Sequence, residues 1–145
     1  MDLWRNNRMW YVAGEEFLLK GFESRPGKHP WQGEHVGKWL HAATLAYHHT
    51  GDERLKEVLD SVVNRLIDTQ LPDGYMGTYA EASSFVAKHA DGSKDMWDVW
   101  TPRYPLYGLL HYESFLPPER VLISSRRMAS HSTRALGEGR SDRAG

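Results

Sequence analysis

Apolar residues fall at Val36, Trp39, Leu40, Ala43, Ala46 and Tyr47. That i, i+3, i+4, i+7 spacing predicts a helix over residues 32–49. A stronger stripe of Leu55, Val58, Leu59, Val62, Val63, Leu66 and Ile67 predicts a second helix over 53–69. Only Thr50, Gly51 and Asp52 separate them. Gly51 suits a left-handed cap on the first helix and Asp52 an N-cap on the second, so the pair reads as an antiparallel αα-hairpin. Upstream, residues 15–20 predict a short helix ending at Gly21, and 23–30 a loop with two prolines and a glycine. Downstream, 70–96 is a long connection with a turn at Pro72-Asp73-Gly74. A third helix runs to about Phe115, regular only from Pro105, which suits a first-turn position. Leu116-Pro117-Pro118 breaks it, and Pro118 opens a fourth helix over 119–136. Residues 137–145 form a polar tail expected to be disordered.

The second hairpin echoes the first. "TGDERLKEVLDSVVNRL" (50–66) aligns with "LPPERVLISSRRMASHS" (116–132) at an offset of 66. Glu53 and Arg54 match Glu119 and Arg120, Leu55 matches Val121, and Val62 matches Met128. Val58, Leu59 and Leu66 meet Ser124, Ser125 and Ser132, so the fourth helix keeps the layout and loses much of the apolar face. Repeated αα-hairpins are the mark of helical solenoids and closed toroids. With only two hairpins, part of each apolar face lacks a neighbour. Residues 116–145 are therefore expected to fray and the chain to self-associate.

Composition narrows the partners. The 145 residues suit one domain, and a formal net charge of -1 supplies no field toward nucleic acid or an anionic membrane. No run of 18 apolar residues spans a bilayer, and "MDLWRNNRMWYVAGEEF" has no signal-peptide pattern, so the expected location is cytoplasmic by default. No cysteine is present, which removes disulfides and thiolate metal ligands from this chain. Eight histidines form no HExxH, and His48-His49 diverge on a helix, so no metal site is assigned. Several rings stand in polar loops: Trp31, Tyr75, Tyr79, Trp97, Trp100 and Tyr104. Such rings stack on sugar faces while neighbouring polar groups meet the hydroxyls. The plainer alternative is burial at helix ends.

The stretch "RPGKHPWQGEHVGKWLHAATLAYHHTGDERLKEVLDSVVNRLIDTQLPDGYMGTY", together with "WDVWTPRYPLYGLLHYE", resembles the N-terminal catalytic domain of glycoside hydrolase family 127, the β-L-arabinofuranosidase-like proteins. The resemblance runs from about Leu19 to Arg140 and is densest over 25–79 and 97–112. It implies an all-α fold, an (α/α)6 barrel of six αα-hairpins with sugar at one mouth. On it, residues 1–136 are a partial barrel, about the first third, and 137–145 a tail. It also implies, in relatives, a retaining mechanism with a zinc-bound cysteine nucleophile and a glutamate acid/base. None of those motifs has a counterpart here, so no catalytic residue and no cofactor is assigned to this chain, zinc being expected only in full-length relatives. The chain reads as a truncated reading frame or a piece of a longer enzyme.

Within that frame, the first hairpin's inner helix opens at the sugar with Trp31, Glu34 and His35. For Glu34 the alternatives are dipole stabilisation and a surface pair with Lys38 at i+4. Tyr75 and Tyr79 lie on a glycine turn that lets a ligand approach backbone. "WDVWTPRY" adds Asp98, Trp100, Arg103 and Tyr104, with an Asp98–Arg103 ion pair as the alternative. These nine residues are the substrate-binding candidates. Two functions remain: part of a glycoside hydrolase acting on plant-type oligosaccharides, or an inactive remnant that binds sugar weakly. A peptide-binding helical adaptor fits less well, since such adaptors rarely place Trp and Tyr in Gly-Pro loops.

Overall fold

The structure, a computed structural model, describes residues 15–80 and 100–141. Among the described residues there are five α-helices: α1 (Glu15–Glu23), α2 (Glu34–Thr50), α3 (Glu53–Asp68), α4 (Arg103–Phe115) and α5 (Glu119–Ser141). A 3-10 turn, Pro30–Gly33, leads into α2. No strand occurs among the described residues. The fold is all-helical, built of αα-hairpins as part of an (α/α)6 barrel.

The first hairpin forms as its caps require. Gly51 takes φ 62° and donates its N–H to Tyr47 O at 2.8 Å, which ends α2 in a left-handed residue. Asp52 accepts from the backbone N–H groups of Arg54 and Leu55, at 3.1 and 3.3 Å. Such an N-cap contributes about 1 kcal/mol. Val36, Trp39, Leu40 and Ala43 of α2 meet Leu55, Leu59, Val62, Val63 and Leu66 of α3 in one core. Leu18, Leu19 and Phe22 of α1 close it from outside. Each such side chain contributes about 1.5–3 kcal/mol by leaving water.

Several boundaries differ from the sequence expectation. Helix α1 continues through Gly21 to Glu23, because Phe22 is drawn into the core. The regular part of α2 begins at Glu34, since the chain enters through a tighter turn headed by Pro30. Helix α4 starts at Arg103, so Pro105 is its third residue. First-turn N–H groups have no intrahelical acceptor, and a proline there costs no helix bond. Helix α5 extends to Ser141, five residues past the boundary placed at 136, and passes through Gly137 and Gly139.

The two hairpins lie side by side in the same sense. Glu34 meets Trp100, His41 meets Tyr107 and His48 meets Phe115. Contacts that advance together along both chains make α2 and α4 parallel. The helices approach closely where Gly37 and Gly108 face each other: a Cβ on Gly37 would lie 1.8 Å from Tyr104 O. Tyr112 of α4 donates its hydroxyl to Asp60 of α3.

Helix α5 is seated largely by polar bonds. Ser124 and Ser125 are buried with Val121 and Met128. Ser124 Oγ donates to Gln70 Oε1, and Gln70 Nε2 donates to Ser124 O at 3.0 Å. Arg127 donates to the carbonyls of Leu71 and Pro72, and Arg134 to that of Asp73. Ser124, which stands where the first hairpin has an apolar residue, and Arg127 thus seat the helix on the turn after α3. No helix among the described residues is long and apolar enough to cross a membrane.

Candidate sugar-binding mouth

The parallel packing of α2 and α4 brings their N-terminal ends together. Glu34, the first residue of α2, accepts from Lys38 Nζ on Oε1 at 2.6 Å and from Trp100 Nε1 on Oε2 at 3.1 Å. The lysine bond is the i, i+4 pair that the sequence offered; the indole bond spans 66 residues. Burial alone would push the Glu34 carboxyl up, yet the Lys38 and Trp100 hydrogen bonds, with the Lys38 and His35 charges, hold it below its usual range. Both its oxygens are engaged, so it orients the indole and the ammonium.

Two groups of rings stand on either side of this carboxylate. Arg103 places its guanidinium 5.0 Å from the Trp100 ring centre, and Lys38 its ammonium 4.7 Å from that of Tyr104. Trp100 and Tyr104 meet edge to face at 5.8 Å. On the other side His35 stacks on Phe17 at 5.4 Å and takes Trp31 edgewise at 5.6 Å. Burial lowers the His35 pKa, Glu34 opposes that shift and Lys38 adds to it. Burial thus biases the imidazole toward its neutral form. Trp31 and Trp100 keep 47% and 41% exposure, so both indoles reach solvent at the same end of the hairpins. An open groove of about 310 Å³, lined in part by Phe17, Pro26, Lys28, His29 and Gln32, adjoins the second group through Phe17.

The structure thus gathers Trp31, Glu34, His35, Trp100, Arg103 and Tyr104 into one mouth. Tyr75 is elsewhere: it is 2% exposed, packed between the Arg25 guanidinium and the His131 ring. Arg25 also holds the surrounding loop, donating to Gly77 O at 2.7 Å and to Thr69 O at 2.5 Å. Tyr79 is half-buried and donates its backbone N–H to Tyr75 Oη. The glycine turn is therefore filled by its own tyrosine: a Cβ on Gly77 would lie 2.3 Å from Tyr75 Oη. Asp98 and Trp97 lie outside the described residues, as does the tail beyond Ser141.

Sequence reasoning treated Lys38 only as a surface pair and passed over His41, Tyr107 and His111. These lie further along the α2–α4 contact: His41 meets Tyr107 and His111 edgewise at 4.9 and 4.4 Å. The signal was available in the offset of 66, which sets His41 against Tyr107 as it sets Glu34 against Trp100.

The described residues do not fit the zinc that the resemblance implies for full-length relatives. No cysteine is present, and no group of three or more His, Asp or Glu that could hold a metal occurs among the described residues.

A family model described as Beta-L-arabinofuranosidase, GH127 catalytic domain, matches residues 4–116. No curated protein and no solved structure matches the chain.

Proposed function

The chain belongs to the family of β-L-arabinofuranosidase GH127 catalytic domains, and from that premise we propose that its α2–α4 mouth holds the sugar for a glycosidic hydrolysis completed by a longer polypeptide. One observation carries the reading. Glu34 fixes the Trp100 indole across the two helix ends while Trp31 and Trp100 both stay half-exposed. Immobilised rings flanked by donors are what a sugar needs, one face to stack on and polar edges for its hydroxyls. In this reading Trp31 and Trp100 stack, Arg103 and Tyr104 donate to hydroxyls, and Glu34 and His35 position them. The substrate class is an arabinofuranoside of plant-type oligosaccharides. The nucleophile and zinc ligands would come from residues outside this chain.

The second reading is a sugar-binding piece without catalysis, favoured for this polypeptide by its lack of any cysteine. One pair of measurements tests both. The 145-residue chain, given nitrophenyl β-L-arabinofuranoside and zinc, is expected to stay at background. Methyl β-L-arabinofuranoside is expected to shift the Trp31 and Trp100 indole N–H resonances. Trp100→Ala should weaken the response at Trp31 by about 1 kcal/mol, roughly fivefold in affinity. Zinc-dependent turnover that survives repurification would overturn the division of labour. Sugar-induced shifts confined to other parts of the chain would overturn the site.

A further inference from the structure

We propose that Thr78 is a positioning residue of the sugar mouth: its hydroxyl holds the Pro30–Trp31 peptide and thereby sets the indole of Trp31. The inference rests on the sugar-binding reading and adds the residue that holds one of its two platforms. The other platform, Trp100, is fixed through its own ring, whose N–H donates to Glu34 at 3.1 Å. Trp31 stands in the turn Pro30–Gly33 ahead of α2, with its indole reaching solvent. It is held through its backbone. Thr78 Oγ1 donates to Pro30 O, the carbonyl of the peptide that carries the Trp31 N–H. The proline ring already fixes φ of Pro30. With the carbonyl bound as well, ψ of Pro30 is set, and so is the plane through which the chain enters Trp31.

Thr78 grips the same loop at two more points. Its carbonyl accepts from the Gly27 N–H at 3.0 Å. Its side chain lies against Gly33, where an added Cβ would stand 2.8 Å from Thr78 Oγ1. Gly27, Pro30 and Gly33 thus all rest on one threonine, and Trp31 lies between the last two. Thr78 is itself buried, and Arg25 anchors the chain beside it by donating to Gly77 O at 2.7 Å. Other threonine hydroxyls show the contrast. Thr50, Thr69 and Thr133 donate to Ala46 O, Leu66 O and Ala129 O, three or four residues back on their own helices. That is the ordinary local use of the residue. Thr78 reaches across 48 residues to the peptide before a ring of the mouth. Its β-branched side chain is stiff at χ1, so the hydroxyl is aimed in advance. A platform set before the sugar arrives spares the cost of ordering it on binding.

The test sets Thr78→Val, which keeps the shape and loses the hydroxyl, against Thr78→Ser, which keeps the hydroxyl and loses the methyl, both in the full chain. Without sugar, Thr78→Val is expected to move the Trp31 indole N–H resonance and leave that of Trp100 in place. It should bind methyl β-L-arabinofuranoside roughly fivefold more weakly, the scale of one ordered side chain. Thr78→Ser should keep the wild-type Trp31 resonance and affinity. Thr133→Val, which removes an exposed hydroxyl from α5, should change neither. A threonine that merely stabilises the loop would lower the melting temperature of Thr78→Val and leave Trp31 and the affinity alone, which overturns the proposal. A serine variant that loses affinity while the valine variant keeps it overturns it too. Should Thr78→Val not fold, the wild-type chain decides: exchange of the Thr78 hydroxyl proton with water is expected to slow when the sugar is bound, and unchanged exchange overturns the proposal. If the sugar moves neither indole of the wild type, the sugar-binding reading falls and the role of Thr78 in binding falls with it. If it moves both and Thr78→Val binds like the wild type, only the role of Thr78 falls.

Discussion

At the residue scale, the mouth couples the protein to pH. His35 and His111 both have lowered pKa values, each chiefly by burial; Glu34 opposes the shift at His35, and His41 adds to it at His111. Glu34 is also lowered, its hydrogen bonds outweighing its burial. A group with a depressed folded pKa binds fewer protons folded than unfolded, so stability rises with pH across the gap. The histidine contribution is whole above the ordinary value of 6.5 and is lost as pH falls below it. The Glu34 contribution is whole above 4.5 and is lost below. All three signs agree. The melting temperature is expected to fall steadily from pH 7 to pH 4, and His35→Gln with His111→Gln should flatten the limb between pH 7 and 5. A melting temperature that climbs on acidification to pH 5 would show the sign to be wrong.

At the element scale, the crossing of α2 and α4 depends on two glycines. A methyl group on Gly37 would meet backbone atoms of Tyr104, at 1.8 Å from O and 2.0 Å from C, and backbone yields less than a side chain. Gly37→Ala is expected to cost about 1–3 kcal/mol or more, the usual range for overpacking. It should also part Trp100 from Glu34, one turn away. Urea unfolding reads the first effect and the Trp100 indole resonance the second; a variant of unchanged stability would mean that the helices do not cross this tightly. Helix α5 illustrates the opposite design. It gives up an apolar contact at Ser124 and takes hydrogen bonds from Ser124 to Gln70 and from Arg127 to the turn after α3.

At the scale of the whole molecule, the described helices leave several large apolar side chains in solvent. Leu45 of α2 shares a face with His41 and His48, and Leu110 of α4 lies one turn from Tyr107. Leu45, Tyr107, Leu110 and Phe115 are exposed, as is Ile123 on α5. Contiguous apolar surface on a small monomer favours association. The isolated chain is expected to self-associate as concentration rises, and Leu45→Glu with Leu110→Glu should reduce it. Sedimentation velocity checks this, and a monodisperse monomer at high concentration would count against it.

The sequence by itself determined the helices, the hairpin and its caps. Val36, Trp39 and Leu40 recur at the helical period, and Gly51 and Asp52 cap backbone groups within four residues, so their spacing alone states what they do. It also named Trp31, Glu34, His35 and the rings near residue 100 as candidates. The tertiary structure decided which of those residues meet. Glu34 could satisfy itself with Lys38 four residues on; that it also holds Trp100 follows from the parallel approach of α2 and α4 across Gly37 and Gly108. Tyr75 reads as a loop ring in sequence and is a buried one in the fold, because Arg25 and α5 close over it. Local hydrogen bonds and periodic burial are written in adjacent residues. Contacts over 66 residues depend on how closely two helices can pack, and that is settled only when the helices are in place.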